Sequence, residues 1–569
     1  MTRVLPVLLL ALACRPPAAP EPTERRLTIL AMNDWHASFG EHDHKGTAVG
    51  GLPWFAAAVD ARRSTDPDLL LFDAGDGFQG DPSANATLGH ATVDAFNLLG
   101  VDAAAIGNHE FDHGPCTPEV CTDPHPLRGA LRSAASRSLY PYLSANITTE
   151  SGEAWAPPGV HPHVIIERNG LKVGVLGLTT TDTPTTTKRV HVADLRFTDV
   201  VAAAERSAKE LRADGADLVV ALAHVTGDCR DAAPDGPCQP DGELGRLLTD
   251  LPRGTLDLVV AGHAHHAMQG RIGDTTFIET GSHGAALGEV SVVVDTNGTV
   301  QARLQPRPLW STDHTPADPW CQPDAPYPAH PRPVGGVLLE PSARGIALAR
   351  DLEVWNGAGC TEVGCLAEPA GRIAFDDGGS PLGALVADAL LAARPDALIA
   401  VQNAGGLRAD FPAGVIRQRD VDRVMPFRDH THTISISGAH LLRALEVGAS
   451  GAHGPLLPAG LTYTVTVHEG IPRDLDGDGV PSLWERDRVC AVTVGDAPLD
   501  LDATYTVVVS DFLHGGGDHQ TTGLAQGTVQ SSGPRVADAI GAWIAEPGPQ
   551  CRSVPTDARM VVTDCDPRQ

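Results

Sequence analysis

Five short motifs in the first half of the chain carry residue types that bind divalent metal ions. Each motif offers Asp, His or Asn just after an apolar run of strand length. They are Asn33-Asp34-Trp35-His36, Asp73-Ala74-Gly75-Asp76, Gly107-Asn108-His109-Glu110-Phe111-Asp112, His224 and Gly262-His263-Ala264-His265. Two divalent ions about 3.5–4 Å apart, joined by a carboxylate, can activate water and neutralise charge at a phosphate ester. The set therefore predicts a dinuclear metal site for ester hydrolysis.

The segments around these motifs predict a layered α/β domain. Amphipathic stretches such as Leu52–Arg63 and Phe197–Arg212 separate several of the apolar runs. Those runs are Leu27–Ala31, Leu69–Phe72, Ala103–Ile106, Lys172–Leu178, Asp217–Ala223 and Leu256–Ala261. In sheets built this way, ligands gather at the carboxyl ends of the strands, where the candidate ligands stand.

The second half of the chain predicts a separate domain. Residues 305–352 are expected to be a linker that includes a connecting helix, and residues 353–569 a mixed α/β domain. Its predicted helices lie near Leu382–Ala393 and Pro534–Ile544, and its strands near Leu398–Val401, Leu461–Val467 and Thr504–Ser510. A chain of 569 residues is too long for one compact core.

Composition excludes one class of partner. The formal net charge is −29, and no Lys/Arg-rich stretch offsets it. A nucleic acid polymer would be repelled, whereas a small phosphorylated substrate can bind where metal ions and arginines reverse the charge locally. The sequence leaves the oligomeric state open.

The N-terminus resembles an export signal. Val4 to Ala13 is an apolar stretch too short to span a bilayer, and Cys14 follows it as in a bacterial lipoprotein cleavage site. Residues 1–26 are therefore expected to be a lipoprotein-type signal peptide and tether. Lipidation of Cys14 would attach the protein to a bacterial membrane, at the periplasm or cell surface; the alternative is secretion with Cys14 unmodified.

The remaining ten cysteines suit disulfides in an oxidising compartment. Short spacings predict three local bridges: Cys116–Cys121, Cys229–Cys238 and Cys360–Cys365. The pairing of the other four cysteines cannot be determined from the sequence.

The ordered set of motifs resembles the calcineurin-like metallophosphoesterases. Asn403-Ala404-Gly405-Gly406-Leu407-Arg408 and Phe512-Leu513-His514-Gly515-Gly516-Gly517-Asp518 resemble motifs of the 5′-nucleotidase C-terminal domain. Together they resemble the bacterial 5′-nucleotidase family, akin to periplasmic UDP-sugar hydrolases. The resemblance implies a four-layer αββα sandwich at residues 27–304, followed by the C-terminal substrate-binding domain.

The resemblance also implies roles for individual residues. Asp34, His36 and His265 would bind one metal ion, Asp76 would bridge, and Asn108, His224 and His263 would complete the second site. The ions would be zinc, manganese or iron. A metal-bound hydroxide would attack phosphorus in line. His109, oriented by Asp112, would stabilise the phosphoryl transition state and protonate the leaving oxygen. His266 is not expected to be a ligand, because His265 has the right register.

The implied substrate residues lie in the second domain. Phe427 and Phe512 would stack on the base, and Arg408 would grip phosphate. Asn403 would bind the base or ribose, and Asp518 the ribose hydroxyls. Asp376 stands where the family usually has another arginine, with Arg372 nearby but out of register. This departure leaves the identity of the phosphoester open.

A second type of metal loop occupies residues 474–485. Acidic oxygens fall at positions 1, 3 and 5, a glycine at 6 and a glutamate at 12, as in a calcium loop. The predicted ligands are Asp474, Asp476, Asp478, the carbonyl of Val480 and Glu485. The expected role is a structural calcium ion within a hairpin.

The leading interpretation is a phosphohydrolase that acts on nucleotides outside the cytoplasm. The alternatives are a UDP-sugar or cyclic-nucleotide phosphodiesterase and a thiosulfohydrolase-like enzyme of the same architecture. A non-enzyme alternative is a surface binding module without catalysis. The pair His109 and Asp112 argues against that module, and the four residues Asn403, Arg408, Phe427 and Phe512 favour a nucleotide.

Overall fold

The structure of the protein is a computed structural model. It describes residues 24–44, 47–229, 239–295, 300–304, 307–308, 321, 331–334, 337–372, 380–450, 453–477, 479, 481, 485–546 and 551–567. Within this part of the chain, no helix is long and apolar enough to cross a membrane. Cys14 lies outside the described residues.

Two sheets form the centre of the first half of the chain. The first sheet has the spatial order Val300–Leu304, Ala286–Val294, Arg25–Met32, Leu70–Asp73, Ala103–Ala105, Tyr142–Leu143 and Val160–His161, and Arg307–Pro308 pairs with Ala286–Val294. The second has the order Ala267–Ile272, Thr275–Thr280, Leu258–Gly262, Leu218–His224, Leu171–Thr179 and His163–Arg168. The central strands are parallel and apolar on both faces, as buried parallel sheets require.

Helices cover the outer faces of both sheets. Apolar side chains such as Ile29, Phe72, Val173 and Val220 fill the layer between the sheets. The helices of this half are Leu52–Thr65, Pro82–Ala86, His90–Leu99, Gly129–Arg137, Thr183–Thr186, Arg189–Val192, Val200–Ala213 and Gly242–Thr249, with a 3-10 turn at His109–Phe111. Two further apolar clusters pack these helices on the sheets. The arrangement confirms the predicted four-layer αββα sandwich.

The second half contains a five-stranded and a four-stranded sheet. The first has the order Leu456–Ala459, Ile399–Asn403, Thr504–Ser510, His430–Ser437 and Thr528–Arg535, and the second Ala497–Pro498, Val489–Val494, Leu461–Thr466 and Met560–Thr563. The helices are Pro381–Ala393, Gln418–Val424, Gly438–Ala449, Asp511–His514 and Val536–Ala545, with 3-10 turns at Gly357–Cys360, Ala404–Gly406, Gly517–His519 and Leu524–Gln526. This is the predicted mixed α/β domain.

Five two-stranded ribbons accompany these sheets in the part of the chain that the structure describes. They pair Leu195–Phe197 with Ile147–Thr149, Glu41–His44 with Thr47–Gly50, Arg332–Val334 with Val337–Leu339, Glu362–Leu366 with Gly414–Arg417, and Ile471–Pro472 with Arg486–Asp487.

A connecting helix, Ala343–Asn356, packs on the first half of the chain. The backbone N–H of Ser342 donates to the carbonyl of Pro53 at 2.8 Å, and Arg344 Nε donates to Asp60 Oδ2 at 3.1 Å. This helix begins in the predicted linker and ends at Asn356, past the predicted boundary at residue 352. Its start contacts the helix Leu52–Thr65.

The disulfides correct one prediction. Cys116–Cys121 forms as predicted, but Cys360 pairs with Cys321, Cys365 with Cys551, and Cys490 with Cys565. The prediction of Cys360–Cys365 is wrong because Glu362–Leu366 is an extended strand, which advances about 3.3 Å per residue and carries the two Cα atoms beyond disulfide reach. Cys229 is disulfide-bonded, and its predicted partner, Cys238, lies outside the described residues.

Candidate metal and substrate site

The candidate metal ligands lie together at the carboxyl ends of parallel strands. Met32 pairs with Asp73 in the first sheet, and His224 with Gly262 in the second. The loops that follow these strands therefore lie at the same edge of the sandwich. The sequence predicts this, because the ligands follow the carboxyl ends of the strands.

Asp34, His36 and His265 form the first cluster. His265 Nε2 lies 3.2 Å from Asp34 Oδ1 and 3.0 Å from His36 Nε2. His36 Nδ1 donates to the carbonyl oxygen of Gln79 at 3.1 Å. Since one ring nitrogen of neutral His36 carries that proton, the Nε2 lone pair points at His265.

Asp76, Asn108, His224 and His263 form the second cluster. His224 Nδ1 donates to the carbonyl oxygen of Ala74 at 2.9 Å, so Nε2 is the ring nitrogen that faces the cluster. That Nε2 lies 3.0 Å from Asp76 Oδ2, 3.2 Å from Asn108 Oδ1 and 3.2 Å from His263 Nδ1.

The donor set of both clusters fits divalent cations. Carboxylate, amide and imidazole acceptors converge, and such lone pairs repel one another unless positive charge lies between them. Burial lowers the pKa of His224, but the Asp76 carboxylate and other acidic groups outweigh it and raise that pKa to about 10. The cluster around Asp76 therefore stabilises positive charge.

Five candidate ligands have a left-handed backbone. The φ angles are 47° at Asp34, 46° at His36, 58° at Asp76, 93° at His263 and 60° at His265. Such angles are unfavourable for residues other than glycine and collect at functional sites, where the surrounding structure holds them. The strain supports a role for these loops in ligand placement.

Two residues hold the ligand loops in place, and sequence reasoning assigned neither of them a role. Glu110 accepts backbone N–H groups of Asp76, Gly77, Phe78 and Gly107 at 2.6–3.1 Å. Burial raises the pKa of Glu110 to about 7. Asn33 donates to Asp34 Oδ2 at 2.6 Å. Each residue directly precedes or follows a predicted ligand or catalytic residue in the sequence. The Glu110 carboxyl group binds backbone N–H groups, and the Asn33 amide binds Asp34.

His109 lies between the two halves of the molecule. Its Nδ1 donates to Asp112 Oδ2 at 2.6 Å, and Thr187 Oγ1 donates to Asp112 Oδ1 at 2.8 Å. On the other side, Arg408 Nη2 donates to His109 Nε2 at 3.0 Å. Burial lowers the pKa of His109, but Asp112 offsets this and the pKa is raised. Asp112 thus fixes both the tautomer and the orientation of the ring.

The predicted substrate residues line the same cavity. It has a volume of about 780 Å³ and is bordered by Asn108, His109, Arg408, Phe427, Phe512 and Asp518, among others. The Arg408 guanidinium lies 5.3 Å from the centre of the Phe427 ring. The sequence motifs of both halves therefore converge on one space.

The Gly-Gly-Gly-Asp segment shapes the second half of the cavity. A Cβ atom on Gly517 would lie 2.4 Å from the ring of Phe512, so the absence of a side chain admits that ring. Asn403 Nδ2 donates to Asp518 Oδ2 at 2.7 Å. Asp376 lies outside the described residues, and Arg372 Nε donates to Asp410 Oδ1 at 3.1 Å.

The calcium-loop motif is partly described. Carboxylate oxygens of Asp474, Asp476 and Glu485 lie within 4.8 Å of one another, in the hairpin between Ile471–Pro472 and Arg486–Asp487. Asp474 Oδ1 and Oδ2 accept the N–H groups of Gly477 and Gly479 at 2.7 and 3.0 Å. Asp478 and Val480 lie outside the described residues.

Two family models match the chain. Residues 27–267 match the calcineurin-like phosphoesterase, and residues 363–525 match the C-terminal domain of 5′-nucleotidase. The chain belongs to the 5′-nucleotidase family of two-domain metallophosphoesterases. Members of this family are hydrolases that use divalent metal ions.

Individual proteins agree with this assignment. The chain is 27% identical over 545 residues to the cell wall protein Lmo0130 of Listeria monocytogenes, covering 86% of this chain and 63% of that protein. It is 26% identical over 555 residues to the 5′-nucleotidase of Rattus norvegicus, covering 90% and 86%. The chain spans less than two thirds of the length of several curated relatives that it matches.

A solved structure shows the same fold. The 5′-nucleotidase precursor from Thermus thermophilus has a TM-score of 0.74 and 24% identity, and the match covers 95% of this chain and 99% of that one. The two-domain order of the family is therefore present across nearly the whole chain.

Proposed function

We propose that the protein is a metal-dependent phosphohydrolase that removes phosphate from nucleotides. The observation that carries this proposal is the contact of 3.0 Å between Arg408 Nη2 and His109 Nε2. It joins a cation of the second domain to a proton-transfer group of the first, in the cavity that both metal clusters border.

We assign the ligands as the family resemblance implies. Asp34, His36 and His265 would hold one ion, and Asn108, His224 and His263 a second, with Asp76 shared between them. The ions would be zinc, manganese or iron, all of which accept mixed imidazole and carboxylate ligands. When bound, the pair would supply an activated water and neutralise charge that develops on the phosphoryl group.

His109 would act on the leaving group. Asp112 holds Nδ1–H, so Nε2 faces Arg408 and the cavity. Once Arg408 turns to the phosphoryl group, a protonated Nε2 would give its proton to the ester oxygen. The Arg408 side chain lies at the same nitrogen and would bind phosphoryl oxygens as substrate arrives. Both residues border the cavity.

The second domain would select the nucleotide. Phe427 and Phe512 offer aromatic faces for the base. Asn403 and Asp518, joined by a hydrogen bond of 2.7 Å, offer polar groups for the ribose or the base. Burying this pair against a substrate costs free energy unless the substrate itself forms hydrogen bonds with Asn403 and Asp518. The pair therefore favours substrates that carry matching polar groups.

Phosphate release from AMP tests the proposal. Release should require added Zn²⁺ or Mn²⁺, stop on chelation, return on metal addition, and be lost in His109→Ala. The His266→Ala variant is a matched control, because His266 borders the cavity but pairs with Asp228 at 2.8 Å. Absence of release from AMP and from a panel of nucleotides, UDP-sugars and cyclic nucleotides would contradict the proposal.

We also propose that the protein is exported and anchored through a lipid on Cys14. Four described disulfides support an oxidising compartment. Cys14→Ser should abolish incorporation of labelled fatty acid and release the protein from the membrane fraction. An unchanged membrane fraction would contradict the anchor.

We propose a structural calcium ion in the 474–485 loop. The cluster of Asp474, Asp476 and Glu485 supports it, together with Gly477 and Gly479, which have φ angles of 84° and 93°. Their freedom to adopt those angles allows the sharp turn that the motif requires.

A further inference from the structure

A third cluster of histidine and carboxylate groups crosses the boundary between the domains. Asp182 precedes the short helix Thr183–Thr186 of the first domain. His453 and His519 belong to the second domain, next to the strand Leu456–Ala459 and in the turn Gly517–His519. All three border the substrate cavity, and sequence reasoning assigned none of them a role.

The three side chains direct their donor atoms at one point. His453 Nε2 lies 3.3 Å from Asp182 Oδ2, and His519 Nε2 lies 3.2 Å from Asp182 Oδ1. The two imidazole rings stack with centres 4.9 Å apart and planes 24° apart. One atom from each residue lies within 4.8 Å of the others.

Asp182 forms an ion pair with each of the two histidines. His453 Nε2 is buried, and no group in the described part of the chain meets it with hydrogen-bonding geometry, despite the nearby carboxylate. Around a tetrahedral ion with ligands at 2.0–2.1 Å, neighbouring ligand atoms are separated by about 3.3 Å. The two nitrogen–oxygen distances match that separation better than the 2.9–3.0 Å typical of N–H···O bonds.

The backbone at His519 gives a separate indication. Its φ angle is 58°, and that of Asp518 is 51°, so two consecutive non-glycine residues are left-handed. This conformation costs free energy and persists where the surrounding structure requires a particular side-chain direction. The His519 ring on this turn lies beside Asp182.

We propose that Asp182, His453 and His519 form a third metal site, which takes a transition-metal ion such as Zn²⁺ or Co²⁺. Two imidazoles and one carboxylate are a suitable set for such ions, and the cavity side leaves positions for water or substrate oxygen. The site is distinct from the two clusters that meet at Asp76. It does not depend on the proposed hydrolysis of nucleotides.

An ion at this place would link the domains. Since its ligands come from both, binding favours arrangements in which Asp182 stays near the two histidines. A neighbouring contact already joins the domains, because Lys188 Nζ lies 3.1 Å from both Asp429 Oδ1 and Asp511 Oδ2. The third ion would strengthen this boundary beside Asp518.

Metal content tests the site without reference to activity. The full chain is loaded with Co²⁺ or Zn²⁺, dialysed against buffered free metal and analysed by mass spectrometry for bound equivalents. The wild-type protein should bind one equivalent more than His453→Ala or His519→Asn, and Asn tolerates the left-handed backbone. The control His266→Ala should keep the wild-type content.

Equal metal content in the wild type and in both variants would overturn the proposal. The cluster would then consist only of histidine–aspartate contacts without a metal ion. If the variants fail to fold, a Co²⁺ titration of the wild-type protein tests the proposal by itself. Saturation at two equivalents excludes a third site. Calcium is counted separately in the same measurement. AMP hydrolysis, assayed in parallel, reports on the proposed function independently.

Solution scattering tests the link between the domains. Metal-loaded wild type should be more compact than the chelated protein, and His453→Ala, which keeps the Lys188 contacts, should lose part of this metal-dependent compaction. A metal-dependent change of equal size in His453→Ala would contradict the role of the third ion at the boundary.

Discussion

The two domains border one cavity, but they hold their functional side chains in different ways. In the first domain, Asp34 and His224 are fully buried, and Glu110 binds four backbone N–H groups beneath the ligand loops. In the second, Phe427 and Phe512 are only partly buried and belong to the edges of apolar clusters.

This difference separates chemistry from selection. Metal ligands must stay at fixed distances from the ion. The ligand loops of the first domain are accordingly held by strained backbone angles and by hydrogen bonds within the domain. A base needs an apolar face, which tolerates small displacements. We therefore expect changes in the first domain to lower kcat and changes in the second to act mainly on substrate binding.

The largest effect is expected for Asp76→Asn. Asn tolerates the φ angle of 58° but removes the charge that both ions are proposed to share. The kcat for AMP should fall by at least about 10³-fold, with loss of bound metal measured by mass spectrometry. Asp94→Asn, which alters an exposed pair with Arg137, should leave both unchanged. Full activity in Asp76→Asn would contradict the shared role.

Arg408→Lys tests the contact across the domain boundary. Lysine keeps the charge but loses the planar fork, so kcat/KM for AMP should fall by about 10–100-fold, the range of a charge-assisted hydrogen bond. Bound metal should stay constant. Arg372→Lys is the control, since Arg372 pairs with Asp410. Equal effects in the two variants would deny Arg408 a specific role.

Phe512→Leu should have a smaller effect that depends on the substrate. Loss of one stacking face should raise KM for AMP by about 5–10-fold with kcat nearly unchanged. Ribose 5-phosphate, which has no base, should be hydrolysed equally by wild type and variant. A matching loss with both substrates would indicate damage to the cavity instead of lost stacking.

Glu485→Gln should affect stability and leave catalysis unchanged. With calcium at 100 times its Kd, binding adds about 2.7 kcal/mol of stability, so wild type should melt several degrees higher than the variant. Chelation should remove the difference, and kcat for AMP should stay constant. Glu469→Gln, at an exposed position, is the control. Calcium-independent melting of wild type would contradict a structural ion.

The sequence predicted the fold closely where local pattern and topology agree. The strand expected at Leu27–Ala31 is Arg25–Met32, and the one expected at Thr504–Ser510 has those bounds. Apolar runs between turn signals determine such strands. The pair Cys365–Cys551 could not be predicted, because its cysteines are 186 positions apart and only the folded chain brings them together.

The candidate site shows the same limit. Asp34 and His109 could be predicted from the sequence because each lies in a short motif whose neighbouring residues also belong to the site. The cluster of Asp182, His453 and His519 has no local signature, since its members come from three separated loops and two domains. Glu110 stands inside a motif, yet its role depends on backbone N–H groups that become neighbours only after folding.

The central claim is that metal ions of the first domain and a nucleotide-binding face of the second meet in one cavity. Anomalous diffraction from crystals of zinc-loaded His109→Ala with AMP tests it most directly. We predict two ions that share Asp76, the phosphate at Arg408, and the base against Phe427 and Phe512. A single ion or none at Asp76, or a base bound away from both rings, would contradict the claim.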